Sequence, residues 1–137
     1  MKAFKPLSFL LFILLNCVVS AQSTKSYVTD VDDSQITTLL IDAYGKTKAK
    51  SIIEDKMKMQ VCKNNIHRVK IVKATKAHVA RFNKLSTISI SKYPYAENFD
   101  PKKFNPFLFN INYKVPGVKS AYAIDGTEYY MLVQQKK

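Results

Sequence analysis

Residues 118–133, VKSAYAIDGTEYYMLV, contain two runs of alternating side chains separated by Asp125-Gly126. Alternation with a period of two is typical of a β-strand with one buried face. Asp-Gly is favoured in two-residue hairpin loops, because both central positions of a type I′ turn need positive φ. Such a loop predicts that Tyr122 lies opposite Tyr129. The segment therefore predicts a C-terminal β-hairpin with one apolar face.

Three runs upstream of the hairpin alternate in a similar way. They are residues 67–74, 86–91 and 107–113. A short helical pattern, residues 74–81, follows the first run. Residues 92–106 contain three prolines and predict a long irregular connection. We therefore expect an antiparallel sheet of three to five strands.

Two helical patterns precede these strands, at residues 34–44 and 47–61. Acids and a hydroxyl at 32–34 favour a helix start, and Gly45 is suited to end that helix in a left-handed conformation. Further apolar residues recur at helical spacing and predict the buried stripe of the second helix. They are Ala49, Ile52, Ile53, Met57 and Val61. Lys50–Glu54 and Glu54–Lys58 are predicted i,i+4 ion pairs.

These patterns predict a single α+β domain over residues 34–137. In it, two N-terminal helices pack on an antiparallel sheet of three to five strands that ends in the C-terminal β-hairpin. The chain has 137 residues, of which 47% are hydrophobic and 23% charged, as is typical of a globular protein. That length accommodates one domain of ordinary size.

The first 21 residues, MKAFKPLSFLLFILLNCVVSA, have the three parts of a secretory signal peptide. Lys2 and Lys5 form the basic start, an apolar run follows, and small residues precede Gln22. We expect cleavage after Ala21, a flexible leader at 22–33, and a mature protein in the periplasm or outside the cell. The apolar run is too short for a comfortable membrane span.

Cys17 offers an alternative to that cleavage. Residues 14–17, LLNC, resemble a bacterial lipobox, although Asn16 departs from the usual small residue. This alternative is an outer-membrane lipoprotein anchored through Cys17. After cleavage at Ala21 the mature chain keeps only Cys62, which cannot form an intramolecular disulfide and is typical of a buried small apolar residue.

Two stretches resemble a known group of proteins. FDPKKFNPFLFNINY, residues 99–113, and YAIDGTEYYMLV, residues 122–133, look like the C-terminal half of small exported proteins of flavobacterial type. The resemblance implies a bacterial cell-envelope setting. It implies no activity and assigns no functional residue.

The formal net charge is +12, and its source is the middle of the chain: residues 46–92 contain thirteen basic residues and two acidic ones. This segment predicts attraction to an anionic partner, either an envelope protein or an anionic lipid or polysaccharide surface. The alternative is a solubilising surface without a partner. The candidate binding residues are Lys46, Lys50, Lys58, Arg68, Lys70, Lys73, Lys76 and Arg81.

Nucleic acid is not favoured as the partner. The chain has only two arginines, and arginine supplies the planar fork that recognises phosphate. Ten of the thirteen aromatic residues after Ala21 lie in 93–137, so they are not interleaved with the lysines as base stacking requires. Export also separates the protein from cellular nucleic acid.

The sequence contains no motif for a catalytic nucleophile, a phosphate-binding glycine loop or a metal site. No cofactor is predicted. His67 and His78 are the candidate catalytic residues of an alternative function, a secreted basic nuclease or toxin, because two histidines can serve as base and acid in RNA cleavage. The preferred function is an exported, non-catalytic binding or accessory protein of the bacterial cell envelope.

Overall fold

The computed structural model describes residues 26–28, 31–114 and 120–135, which form an α+β fold. The helices are α1 (Asp33–Tyr44), α2 (Lys46–Ile53), α3 (Lys56–Ile66) and the single turn α4 (Lys76–Val79). The strands are β1 (Ser26–Val28), β2 (Val69–Lys73), β3 (Asn83–Lys84), β4 (Ser120–Ala123) and β5 (Tyr129–Val133). The predicted signal peptide, Cys17 and residues 115–119 lie outside the described residues.

The strands form one mixed sheet in the order β1-β2-β5-β4-β3. All neighbours are antiparallel except β3 and β4, which are parallel. The prediction of a purely antiparallel sheet is therefore wrong at one edge. A parallel pair requires a long crossover, and the chain between Lys84 and Ser120 supplies it. β1 lies within the predicted leader and pairs with β2.

Helix α1 begins as predicted. The Asp32 carboxylate accepts a hydrogen bond from the Gln35 N–H at 2.8 Å, and the Gln35 side chain accepts one from the Asp32 N–H at 2.9 Å. This reciprocal capping satisfies two amide groups that the helix leaves unpaired. Gly45 ends the helix with φ 78° and ψ 161°, so its positive φ is combined with an extended ψ rather than a left-handed helical one.

The second predicted helix, 47–61, is wrong because two helices occupy that range. Asp55 interrupts it with φ −92° and ψ 106°, and its carboxylate caps α3 by accepting from the N–H groups of Met57 and Lys58. Because α3 starts afresh at Lys56, its buried face differs from the one predicted for a continuous helix. Met57 is 81% exposed and Val61 56% exposed, whereas Ile66 is buried.

Two apolar clusters form the core of the part of the chain that the structure describes. The sheet cluster joins buried residues of β2 and β5 to residues of the segment 85–111 and to Ile124, which directly follows β4. The helical cluster comprises Ile36, Leu40, Ala49, Ile66 and Phe107. The predicted packing of the helices on the sheet is not found among the described residues. Residues 93–109, which we call the aromatic segment, cover the inner face of the sheet, the face that carries Ile71 and Met131. Helices α1–α3 pack on one another instead, and α1 packs on Pro106–Leu108.

The predicted strands at 86–91 and 107–113 are also wrong. Leu85–Ile88 and Pro106–Leu108 are 3-10 turns, and a single antiparallel bridge joins Ser89 to Phe109. Pro106 fixes its own φ and lacks an N–H donor, which disfavours a strand. The Asn105 side chain accepts from the Phe107 N–H at 3.0 Å and caps the turn instead.

The C-terminal hairpin is confirmed, but its predicted register is not. Tyr122 lies opposite Met131 and Ser120 opposite Val133, so the loop has four residues rather than two. Gly126 has φ 72°, and no described residue other than glycine has positive φ. A type I′ turn at Asp125-Gly126 is thereby excluded. The register differs by two residues, which leaves the buried face unchanged because side chains alternate with a period of two.

Candidate functional site: a basic aromatic patch

The eight predicted binding residues do not lie on one surface. Lys46 and Lys50 belong to α2, and Lys58 belongs to α3. Four others lie on or after β2: Lys70, Lys73, Lys76 and Arg81. Arg68 precedes β2 and bonds to backbone carbonyl groups. The fold therefore divides the basic segment into a helical part and a part beside the sheet.

The helical part is partly neutralised. Lys50 pairs with Glu54 at 3.7 Å, as predicted, and Lys58 pairs with Asp55 at 3.4 Å. The predicted Glu54–Lys58 pair is not formed, because α2 ends at Ile53 and α3 begins only at Lys56. Exposed pairs of this kind contribute at most about 1 kcal/mol, but they reduce the net charge offered to a partner.

The sheet part centres on the outer face, which is the side away from the aromatic segment. Strand register places Lys84, Ala123, Tyr130 and Val72 in one row across four strands. Residues opposite one another in neighbouring strands share a face. Lys70 lies in the next row, opposite Leu132, on that same face.

Three aromatic rings from two distant parts of the chain meet over this face. The ring centroids of Phe82 and Tyr130 are 4.8 Å apart, and His78 lies 5.3 Å from Phe82 and 5.6 Å from Tyr130. His78 is exposed, and the other two residues are half-buried. Neither Phe82 nor Tyr130 belongs to the two apolar clusters. The rings are therefore a surface feature rather than part of the core.

Four basic residues neighbour these rings in sequence or in strand register: Lys76 and Arg81 are close in sequence to His78 and Phe82, Lys84 shares a row with Tyr130, and Lys70 lies in the next row. None of the four forms an ion pair with a residue that the structure describes. We define the basic aromatic patch by its rings and these bases: His78, Phe82, Tyr130, Lys70, Lys76, Arg81 and Lys84. Lys73 does not join it. Its ammonium group pairs with Glu128 at 3.7 Å and lies 5.9 Å from the Tyr129 ring, on the other side of the strand.

Sequence reasoning missed the aromatic part of this patch. Tyr130 is far from Phe82 along the chain, and the two meet only because β5 pairs with β2. A signal was nevertheless present. Tyr130 lies between Tyr129 and Met131, so in a strand it points away from the face that those residues bury.

The structure does not bring His67 and His78 together. His67 lies just before the start of β2, and His78 lies on α4, which follows the end of β2. The length of that strand, roughly 14 Å, therefore separates the two histidines. General acid–base cleavage requires both groups at one phosphodiester. The geometry therefore gives no support to the nuclease alternative.

Cys62 is half-buried, and burial raises the pKa of its thiol. A raised pKa disfavours the thiolate that nucleophilic chemistry needs. Within residues 26–28, 31–114 and 120–135 there is no cluster of three or more His, Cys, Asp or Glu side chains placed to hold a metal ion.

Comparisons with protein-family models, with curated proteins and with solved structures found no match to the chain. None of the helices in the described part of the chain combines the length and the hydropathy of a membrane span.

Proposed function

We propose that the protein is an exported, non-catalytic binding protein of the bacterial cell envelope and that its basic aromatic patch contacts an anionic lipid surface. One observation supports this proposal: three rings cluster on the outer face, and the four basic residues that neighbour them in sequence or strand register form no ion pair with a described residue. Residues 1–21 supply the expectation of export.

The composition of the patch suits a surface rather than a single phosphate group. Three of its four bases are lysines, which act as strongly hydrated point charges. Each basic residue near an anionic membrane contributes about 1 kcal/mol, so four give roughly 4 kcal/mol. That free energy corresponds to a dissociation constant of about 1 mM. The attraction alone is therefore weak and reversible.

The rings strengthen such binding. Phe82 and Tyr130 are half-buried, so each ring leaves part of its apolar surface open to a lipid headgroup region. Aromatic side chains with a polar end favour this kind of boundary. A lipid on Cys17, under the alternative processing, would add a second attachment to the same surface, because stable anchoring needs two signals.

Vesicle co-sedimentation tests the patch. We expect the mature protein, residues 22–137, to bind vesicles that contain phosphatidylglycerol at low salt, and to bind phosphatidylcholine vesicles much less. The variant Lys76→Glu/Arg81→Glu should lose this binding. The control Lys56→Glu/Lys103→Glu makes the same change in net charge at exposed positions outside the patch and should retain most of it.

Three results would overturn the lipid proposal. They are equal binding to both kinds of vesicle, equal loss in the two variants, and binding that is unchanged at high salt. Displacement from vesicles by a soluble acidic polysaccharide at far lower charge concentration would show that the patch prefers that polymer instead.

Export is tested separately by the N-terminus of the protein made in a bacterial host from the full chain. Mass spectrometry should show a chain that begins at Gln22. A chain that begins at an acylated Cys17 would support the lipid-anchored alternative. A cytoplasmic product that still begins at Met1 would overturn export.

A further inference from the structure

A cleft of about 1120 Å³ opens beside the end of β5, where its lining residue Leu132 lies opposite Lys70 of the basic aromatic patch; the cleft and the patch share no residue. Its walls are the end of α3, the chain at 110–114, the residues before β2 and the end of β5. Six carboxamide side chains line it: Asn64, Asn65, Asn110, Asn112, Gln134 and Gln135. We call it the carboxamide cleft.

The ionisable groups of the carboxamide cleft share one sign. His67, Arg68 and Lys114 line it, and none of its described lining residues is Asp or Glu. A site that offers basic groups and neutral amides favours a ligand with negative charge. The side chains of Val61 and Leu132 add an apolar wall that has no hydrogen-bonding groups.

Arg68 is held rigidly at this site. Its Nε donates to the Gln134 carbonyl and its Nη1 to the Tyr113 carbonyl, both at 2.9 Å. The guanidinium carbon also lies 5.5 Å from the centre of the Tyr113 ring. Among the described residues Nη2 has no partner. A guanidinium fixed before binding loses little conformational entropy when a ligand arrives.

We propose that the carboxamide cleft binds an acidic oligosaccharide, such as a chain of uronic acids. Carboxamide groups both donate and accept hydrogen bonds, as sugar hydroxyl groups do. Arg68 and Lys114 supply cations for a sugar carboxylate. The apolar wall fits the C–H face of a sugar ring. This site is distinct from the basic aromatic patch and does not depend on its function.

A peptide is a poorer fit to the same cleft. Extended peptides gain much of their affinity from main-chain hydrogen bonds to an open strand edge. Among the described strands it is β5 that lines this cleft, through Leu132 and Val133, and β5 is paired with β2 on one side and with β4 on the other. Recognition here therefore falls to side chains, and most of the polar ones are carboxamides.

Calorimetric titration with an oligogalacturonate tests the proposal. The variant Asn110→Asp/Asn112→Asp replaces two amides with carboxylates of nearly equal size. In the wild type the Asn112 side chain accepts from the Lys114 N–H at 3.0 Å, and a carboxylate at that position can accept the same bond. We expect repulsion to weaken binding at least about fivefold. The control Asn83→Asp/Asn98→Asp makes the same charge change at exposed positions outside the cleft and should keep the affinity.

The methyl-esterified oligosaccharide should bind at least about fivefold more weakly than the acid, because esterification removes the charge. Equal affinity for the two forms, or equal loss in the two variants, would overturn the proposal. So would tighter binding of an acidic peptide than of the saccharide at this cleft. Lys76→Glu/Arg81→Glu should leave the titration unchanged, which separates the cleft from the patch.

Discussion

The Asp125 carboxylate accepts two hydrogen bonds from Ser86, one from its N–H at 3.1 Å and one from its hydroxyl at 2.6 Å. The Asp125 N–H in turn donates to the Tyr93 hydroxyl at 3.1 Å. These bonds join the hairpin turn to the chain that follows β3. They also stabilise Asp125 in a conformation with negative φ, so the turn differs from the one that Asp-Gly favours locally.

Asp125→Ala should lower the free energy of unfolding by about 2 kcal/mol, because it leaves the half-buried Ser86 N–H without a partner. Urea denaturation measures this change. Ser86→Ala in the same background should cost less than it does in the wild type, since the two residues share their bonds. Glu128→Ala, at an exposed ion pair of the same turn, is the control and should change stability by less than about 1 kcal/mol.

The faces of the hairpin could be predicted from the sequence, but its register could not. Alternation alone decides that Tyr122 and Tyr129 share one side of the sheet. The pairing depends on the loop, and the loop depends on Ser86 and Tyr93, which are distant in sequence from Asp125. The break at Asp55 was hidden for a related reason, because a residue that caps one helix also fits the interior of a longer one.

The candidate sites, too, could be predicted from the sequence only in part. The density of lysine in 46–92 was visible in the sequence, and it predicted a basic surface. Its separation into two parts follows from helix phase and strand pairing, which no local pattern contains. The carboxamide cleft was missed entirely, because Asn64, Asn110 and Gln134 come from three parts of the chain that meet only in the fold.

The helix break makes a prediction about two methionines. Met57→Ala should change the free energy of unfolding by less than about 0.5 kcal/mol, because Met57 is 81% exposed. Met59→Ala should lower it by at least about 1 kcal/mol, since Met59 packs against the helical cluster. Thermal or urea unfolding compares the pair. The reverse order would mean that one continuous helix runs through Asp55.

The Tyr113 hydroxyl is buried and has no hydrogen-bond partner among the described residues. Tyr113→Phe should therefore raise the free energy of unfolding by about 1 kcal/mol, because it removes an unsatisfied polar group and keeps the ring. The matched variant Tyr95→Phe should lower it by a similar amount, since the Tyr95 hydroxyl accepts from the Asn105 N–H at 2.8 Å. Destabilisation by Tyr113→Phe would contradict this account.

Alkaline pH should unfold the protein through its tyrosines. Burial raises the pKa of Tyr93 and of Tyr95 to about 12. Burial also raises the pKa of Tyr113. The unfolded chain loses these protons near pH 10, whereas the folded chain retains them, so stability falls as pH rises from about 10 to about 12. Urea unfolding across this range measures the loss. Unchanged stability up to pH 12 would contradict it.

Asn105 connects α1 to the aromatic segment and is only 2% exposed. Its side-chain N–H group donates to the Leu39 carbonyl at 2.9 Å and to the Asp42 carboxylate at 3.1 Å. Asn105→Asp replaces this donor with a carboxyl group beside another carboxylate. Ionised, the new group repels Asp42 and cannot donate, so we expect a loss of about 3 kcal/mol at neutral pH.

The new carboxyl group should have a raised pKa in the folded state, because burial and the nearby Asp42 charge both favour its neutral form. Its destabilising effect should therefore be smallest below about pH 4, where it is protonated in both states, and should grow as pH rises through its folded pKa. Urea unfolding of the wild type and of Asn105→Asp across this pH range measures the difference between their free energies of unfolding. For Asn98→Asp, at an exposed position, the difference from the wild type should not grow as pH rises. If the difference in free energy of unfolding between the wild type and Asn105→Asp stays constant with pH, Asn105 acts through packing rather than through its bond to Asp42.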